Sequence, residues 1–201
     1  PERILFTPNF APRTEYEQAL QLGVHVTLDN RYPLDAWPEL FQGRAVLLRI
    51  DTGIGRGHHQ HVRTAGVDAK FGIPLEHLDD VVRLVESSGT HVIGLHAHAG
   101  SGVFDVGNWR EIGELLAQIA ARFPDVRIVD VGGGLGVPDR HGVPQLDVRA
   151  LDLELREVKR KVGEVALWIE PGRYLAAAAG VLLAKVTQTK QKGSVRYVGV
   201  A

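Results

Sequence analysis

The sequence predicts an α/β fold in which short parallel strands alternate with amphipathic helices along the chain. Short apolar runs rich in Val, Ile and Leu are typical of strands buried on both faces, and the stretches between them repeat apolar residues at helical spacing. Six such units follow one another. This alternation indicates a parallel sheet with right-handed crossovers, either open or closed into a barrel.

The first ninety residues contain three predicted strands and three predicted helices. Gly23 ends the first helix, because glycine readily adopts the left-handed backbone that follows a helix. A long loop, 51–73, follows the third strand, and Pro74 opens the next helix, where a missing N–H costs little. The predicted strands are 3–7, 24–28 and 45–50, and the predicted helices are 14–22, 34–41 and 75–88.

The second half continues the alternation and then changes character. Ile112, Leu115, Leu116 and Ile119 form the apolar face of one helix. The final pair of strands surrounds "KQKGS", which favours a hairpin that starts a second, β-rich domain. The predicted strands are 92–96, 126–131, 165–170, 181–188 and 195–200, and the predicted helices are 109–123 and 151–162.

Composition excludes several classes of protein. The 201 residues carry a net charge of −1 without a basic or acidic tail, which argues against a nucleic-acid or membrane-surface partner. Cysteine is absent, so the chain has no disulfides and no thiolate chemistry. No apolar run approaches the roughly 18 residues of a membrane span. We therefore expect a cytoplasmic protein, and the abrupt start on a buried strand predicts a fragment.

Three predicted strands end in polar or glycine-rich sequence: "HAHAGSG" (96–102), "DVGGGLG" (130–136) and "EPGRYL" (170–175). Parallel α/β folds build their sites at the carboxyl ends of strands, so these three segments are expected to converge on one mouth. "GGGLG" is either a tight turn or a nest of backbone N–H groups for an anion. It matches neither the P-loop nor the G-x-G-x-x-G pattern.

The other two segments also allow two interpretations each. Glu170 and Arg173 could form an internal ion pair that caps a turn, or they could bind a protonated ring nitrogen and a phosphate or carboxylate. His96 and His98 lie on the same side of a strand, as metal ligands would, but no third ligand stands out nearby. "GHHQH" (57–61) lies in a polar loop without cysteine or carboxylate ligands, so no metal is expected there.

Together, the three segments are more specific than any one of them. "HAGSG", "DVGGGLG" and "EPGRY", in this order on successive strands, resemble the pyridoxal-phosphate decarboxylases of the alanine-racemase-like barrel class. Within that class the chain looks most like the diaminopimelate decarboxylases, and "AKFGI" (69–73) is similar to their "SKFGI". The loop 49–66 resembles the form found in bifunctional proteins that fuse an aspartate kinase to this decarboxylase.

The resemblance implies an incomplete (β/α)₈ barrel over residues 1–178 and the start of a C-terminal β domain over 179–201. It implies that pyridoxal 5′-phosphate is the cofactor and that His98 and Glu170 are catalytic, with His98 stacked on the ring and Glu170 on the pyridine nitrogen. Arg173 is implied to contact phosphate or the substrate carboxylate. The remaining implied cofactor-binding residues are Ser101, Gly132, Gly133, Gly134, Pro171 and Gly172.

The resemblance further implies decarboxylation of meso-diaminopimelate to L-lysine and CO₂, by a homodimer in the parent protein. The family binds its cofactor covalently through a lysine in an early motif like "Y-A-x-K-A-N", which this sequence does not contain. We therefore expect a chain short of two βα units and inactive alone. The alternatives are an ornithine- or arginine-type decarboxylase of the same fold and a non-catalytic, degenerate cofactor-binding barrel.

Overall fold

The computed structural model describes residues 1–53 and 70–201. Six of its strands form one sheet in chain order, β1-β2-β3-β4-β5-β6, and every neighbouring pair is parallel. These strands are β1 (Leu5–Phe6), β2 (His25–Leu28), β3 (Ala45–Arg49), β4 (His91–His96), β5 (Ile128–Gly133) and β6 (Ala166–Glu170). The consecutive order confirms the predicted succession of βα units.

Helices connect the strands. They are α1 (Arg13–Leu22), α2 (Tyr32–Ala36), α3 (Pro38–Phe41), α4 (Leu78–Ser88), α5 (Gly107–Ala120), α6 (Val148–Val162) and α7 (Gly172–Ala176), with 3₁₀ turns at Leu75–His77 and Ala177–Ala179. The helix expected over 34–41 is two short helices, because Pro38 interrupts it after Trp37. No helix in the described ranges is long and apolar enough to cross a bilayer.

The main core lies between the sheet and its helices. Leu28, Leu48, Leu95 and Val129 are fully buried there, and α5 contributes the fully buried Trp109. Gly113 of α5 allows α6 to approach closely, since a Cβ at this position would lie 2.4 Å from Cγ1 of Val158.

A second, small cluster shows that the sheet curls. Leu47, Ile93 and Ile128 are buried together, and Leu5 of β1 packs against them with Trp168 of β6. The rings of His25 on β2 and Trp168 on β6 meet edge to face at 5.5 Å, although these strands are not neighbours in the sheet. The sheet is therefore a curled, incomplete barrel, which confirms the predicted fold class.

The last two strands are separate from this sheet. β7 (Val186–Lys192) and β8 (Val195–Val200) form an antiparallel hairpin. The first of them begins five residues later than predicted, and the preceding residues Val181, Leu182 and Leu183 are 88–94% exposed. The hairpin makes its own two-stranded sheet.

Candidate functional site

A row of polar side chains crosses the carboxyl ends of the central strands. Arg49 pairs with His96 in the register of β3 and β4, and His96 pairs with Asp130 in the register of β4 and β5. Paired residues on neighbouring parallel strands point to the same face of a sheet. Glu170 ends the next strand, β6, and pairs with Gly133. The three sequence segments singled out above therefore meet at one edge.

His96 lies between two carboxyl groups. Its Nε2 atom is 3.5 Å from Oε2 of Glu170, and one ligand-type atom from each of His96, Asp130 and Glu170 lies within 4.8 Å of the others. His96 and Asp130 are each 1% exposed. Three buried polar atoms here have no hydrogen-bond partner among the described residues: Nδ1 and Nε2 of His96 and Oδ2 of Asp130. The sequence showed no third ligand-type group beside the two histidines, whereas the fold brings two carboxyl groups to His96.

The two carboxyl groups differ in their proton affinity. A contact with His96 lowers the pKa of Glu170, although its partial burial acts in the opposite direction. Burial raises the pKa of Asp130 to about 6, with His96 opposing this shift and Glu170 adding to it. Glu170 is therefore ionised at neutral pH, and Asp130 takes up a proton more readily than Glu170 as the pH falls toward 6.

His98 follows β4 and contacts the glycine segment. Its Nδ1 atom accepts the backbone N–H of Gly133 at 3.2 Å. Burial, together with smaller effects of His96 and Arg49, lowers the pKa of His98 to about 4, and Glu170 opposes this shift. The ring is therefore a neutral imidazole at pH 7, with Nδ1 as acceptor and its proton on Nε2.

The glycines after Asp130 allow three chain segments to approach each other. A Cβ on Gly133 would lie 2.0 Å from the carbonyl oxygen of Glu170, and one on Gly134 would lie 2.0 Å from that of Gly100. Gly132 has φ +69°, a conformation that residues with a side chain rarely adopt. The segment is thus built into the ends of β4 and β6 and is not an isolated tight turn.

Two N–H groups of this segment have partners inside the protein. The N–H of Gly132 donates to Oδ1 of Asp130 at 2.9 Å, and that of Gly133 donates to His98. Nε1 of Trp109 donates to the carbonyl oxygen of Gly133 at 3.2 Å and supports the segment from behind. Of the three glycines that the resemblance implies as cofactor-binding, Gly132 and Gly133 therefore direct their N–H groups to partners within the protein.

The loop after β4 is joined to the glycine segment by backbone hydrogen bonds. The N–H of Val103 donates to the carbonyl oxygen of Gly134 at 2.9 Å, and the N–H of Gly136 donates to the carbonyl oxygen of Val103 at 2.8 Å. Ser101 lies in this loop, partly buried, two residues before Val103. The fold thus brings Ser101 and the glycines to the same edge.

Pro171, Gly172 and Arg173 lead from β6 into the short helix α7. The N–H of Leu175 donates to the carbonyl oxygen of Pro171 at 3.0 Å, which closes the first turn of this helix. Arg173 is exposed, and within the described chain Glu170 is paired with His96 and not with Arg173. The internal Glu170–Arg173 ion pair considered from the sequence is not formed.

Sequence reasoning missed three residues of this edge: Arg49, Asp130 and Trp109. Arg49 is nearly buried, its Nη1 is 3.2 Å from Oδ1 of Asp29, and its guanidinium lies 4.5 Å from the centre of the Phe71 ring. Burial lowers the pKa of Arg49, with Asp29 opposing. The sequence does contain a signal for Arg49 and Asp130, since each is a charged residue within an apolar run, "AVLLRI" and "IVDVG". Charged residues are rarely buried unless they have a partner, so such positions are candidates for a site.

The segment "GHHQH" (57–61), considered above as a metal-like sequence, lies outside the described residues, as do the other residues of 54–69. Of the "AKFGI" stretch, 70–73 is described. The N–H of Gly72 donates to Oδ1 of Asp29 at 3.2 Å, and Ile73 forms a parallel bridge with Ile50. This stretch therefore lies beside the end of β3, next to Arg49.

Comparison with known proteins agrees with this geometry. Residues 1–177 match the family model described as "Pyridoxal-dependent decarboxylase, pyridoxal binding domain". A diaminopimelate decarboxylase of Streptomyces coelicolor is 37% identical over 203 residues, which cover 98% of this chain and 46% of that protein. The chain spans about half the length of the curated relatives it matches.

Solved structures agree as well. A crystal structure of a diaminopimelate decarboxylase matches with a TM-score of 0.82 and 30% identity, over 100% of this chain and 49% of that one. An arginine decarboxylase of Paramecium bursaria Chlorella virus shares the fold, with a TM-score of 0.74 and 20% identity over 98% of this chain and 52% of that one. This chain belongs to the pyridoxal-binding domain family of the pyridoxal-dependent decarboxylases.

Proposed function

We propose that this chain forms part of a decarboxylase that uses pyridoxal 5′-phosphate to convert meso-diaminopimelate to L-lysine and CO₂. Family membership supports the cofactor and the reaction type. The name of the 37% identical relative, diaminopimelate decarboxylase, supports the substrate. The observation that carries the proposal is the meeting of Glu170, His98 and the glycine segment at one edge of the barrel.

The residues present suit this cofactor. Pyridoxal phosphate has an anionic phosphate, a flat aromatic ring and a ring nitrogen that is protonated when the cofactor is active. The edge offers an ionised carboxylate at Glu170, a neutral imidazole at His98 and glycines without side chains in the way. When bound, the cofactor draws away the electron pair that the departing CO₂ leaves behind.

Glu170 is assigned to the ring nitrogen. An ionised carboxylate next to this nitrogen keeps a proton on it, because the charge pair is favourable in a site that is partly shielded from water. The contact with His96 lowers the pKa of Glu170 and so favours its ionised form. A glutamine at this position would accept a hydrogen bond but would not supply the negative charge.

His98 is assigned to the face of the ring. Its imidazole is held at Nδ1 by the N–H of Gly133, so the plane of the imidazole is fixed. The low pKa of about 4 keeps it uncharged, which avoids repulsion with a protonated pyridine ring. A cofactor ring stacked on this imidazole would also have a fixed plane, so the protein could hold the scissile bond of the substrate perpendicular to the π-system of the cofactor.

The phosphate is assigned to the loop containing Ser101 and to the glycine segment. Gly132 and Gly133 shape this segment by their close contacts, and Gly134 is the member whose N–H is proposed to contact phosphate. Pro171 and Gly172 shape the turn after Glu170, and Arg173, exposed on α7, is assigned to phosphate or the substrate carboxylate.

The division of the chain into a barrel part, 1–178, and the start of a β domain, 179–201, is part of the proposal. It is supported by the end of the family match at 177 and by the separate sheet of β7 and β8. We also propose that the substrate is an amino acid and that the whole protein is a cytoplasmic homodimer. The resemblance of loop 49–66 to bifunctional proteins supports a fused aspartate kinase. Neither nucleic acid nor a membrane is proposed as a partner.

The test uses the purified full-length protein with added pyridoxal phosphate. We expect CO₂ release from meso-diaminopimelate to be at least about 100 times faster than from L-ornithine or L-arginine. This ratio corresponds to a difference on the order of 3 kcal/mol in transition-state binding. Preference for either of those amino acids would establish the alternative decarboxylase. Cofactor binding without CO₂ release from all three would establish the non-catalytic barrel. The 201-residue chain alone is expected to be inactive, because it lacks the family's lysine motif.

A further inference from the structure

His96 and Asp130, which lie next to Glu170, contain more buried polar atoms without a hydrogen-bond partner than a structural role requires. Both nitrogens of His96 and Oδ2 of Asp130 are buried and lack a hydrogen-bond partner. A buried polar group without a partner destabilises the folded state, because it has lost its hydrogen bonds to water. Two adjacent residues of this kind, next to the carboxylate of Glu170, call for a functional explanation.

The geometry places His96 where it can serve Glu170. His96 ends β4, and its Nε2 is 3.5 Å from Oε2 of Glu170 at the end of β6. A movement of a few tenths of an ångström brings this pair to the distance of an N–H···O hydrogen bond. Asp130, on the strand between them, is anchored because its Oδ1 accepts the N–H of Gly132 at 2.9 Å.

The charges around His96 favour one retained proton. Asp130 of β5 and Glu170 of β6 face it from one side, and Arg49 of β3 faces it from the other. His98 lies two residues beyond the end of β4. Arg49 is already paired with Asp29. Two ionised carboxylates within 4.8 Å of a neutral imidazole would repel each other in a buried site, so the cluster is more stable with a proton on one of its members.

We propose that His96, backed by Asp130, is a positioning residue that holds a proton against Glu170 and so keeps this carboxylate ionised and oriented toward the cofactor ring. The inference rests on the proposed function for the identity of that ring. A charge-assisted N–H···O⁻ contact is about twice as strong as a neutral one and fixes the carboxylate rotamer. Glu170 needs such support because its side chain is 40% exposed.

The test follows the Glu170 carboxyl directly, in the full-length protein without cofactor. Protein labelled with [5-¹³C]glutamate is titrated by NMR, and Glu170→Gln identifies the signal. We expect the wild-type signal to titrate below about 4.3, the ordinary glutamate value. His96→Leu is expected to raise its midpoint by about one pH unit or more, and His96→Gln, which retains an N–H donor, is expected to reverse part of that rise.

Two further samples sharpen the test. His91→Leu makes the same change at the opposite end of β4, where the histidine contacts Asp125, and is expected to leave the Glu170 midpoint unchanged. In protein labelled with [4-¹³C]aspartate, one signal is expected to titrate near pH 6 and to be absent from Asp130→Asn. If His96→Leu does not fold, His96→Asn replaces it, because the shorter amide keeps the site polar without reaching Glu170.

A wild-type midpoint at or above the ordinary value overturns the inference, and so does a His96→Leu midpoint within 0.3 pH units, about 0.4 kcal/mol, of the wild type. A stoichiometric metal ion that co-purifies with the wild type and is lost in His96→Leu would also overturn it, in favour of a cation site. If the wild type binds no pyridoxal phosphate, the proposed function fails, whereas the titration without cofactor still decides the role of His96.

Discussion

Replacing Gly133 with alanine tests the close approach of β5 and β6 at the site. The added Cβ would lie 2.0 Å from the carbonyl oxygen of Glu170 and 3.0 Å from its carbon, whereas ordinary contact begins at 3.4 Å. Both strands would have to separate by about 1.4 Å, because a backbone carbonyl cannot rotate away as a side chain can. Gly133 does not have a positive φ, so the effect arises from this clash and not from backbone strain.

The expected cost follows from two opposing effects. Overpacking a well-packed site costs about 1–3 kcal/mol, and a clash between two backbones belongs at the upper end of that range. Alanine also restricts the unfolded chain, which stabilises the folded state by about 0.4–1 kcal/mol. We therefore expect Gly133→Ala to lower the free energy of unfolding by about 2 kcal/mol. We also expect at least tenfold weaker binding of pyridoxal phosphate, since Glu170 and His98 both contact this residue.

The assay is urea unfolding of the full-length protein followed by circular dichroism, with cofactor affinity measured by absorbance on the same samples. Gly180→Ala is the matched control, because no atom lies within 4 Å of its added Cβ and its φ of −159° suits any residue. Its stability is expected to stay within about 0.5 kcal/mol of the wild type. The reasoning is refuted if Gly133→Ala resembles this control in both stability and affinity.

Three further predictions concern the surrounding structure. Arg49→Met is expected to lower the free energy of unfolding by about 3 kcal/mol in urea, because it leaves Asp29 buried without its counter-ion; a loss below 1 kcal/mol, about a third of that, would contradict this. The His98 ring is expected to titrate near pH 4 by NMR. Its folded pKa lies below the ordinary 6.5, so the unfolded state binds the proton more tightly and the stability contributed by His98 falls as pH decreases from 6.5 to 4; a midpoint near 6.5 would refute its burial. Gly113→Ala is expected to cost about 1–2 kcal/mol despite its better helix propensity, because of the 2.4 Å contact with Val158. In a Val158→Ala background, Gly113→Ala is expected to cost less than half as much as in the wild type, and equal costs in the two backgrounds would exclude the contact as the cause.

Apolar periodicity located the strands and helices because packing between sheet and helices dominates those segments. The strand expected over 92–96 is found at His91–His96, and the helix expected over 151–162 is found at Val148–Val162. Periodicity does not set where a strand ends. β5 extends into Gly132 and Gly133, which read as a loop, because Gly133 pairs with Glu170 on the neighbouring strand.

The strand-end rule placed His98, Ser101, Gly134 and Glu170 at one edge, since the carboxyl ends of parallel strands meet there. The surroundings of His96 could not be predicted in this way. They depend on the register that sets His96 beside Asp130, and register is a property of strand pairing that a single sequence does not state. The partners of the Gly132 and Gly133 N–H groups depend on the same register.

The chain-order arrangement of the sheet also bears on how the protein is made. Each strand from β2 to β6 pairs with the strand synthesised just before it, so each new βα unit can dock as soon as it leaves the ribosome. The edge is assembled in the same direction: Arg49 arrives first, then His96 and Asp130, and Glu170 arrives last. Docking of β6 therefore brings Glu170 to the edge last, and a nascent chain that stalls before this strand exposes Arg49, His96 and Asp130 without that carboxylate.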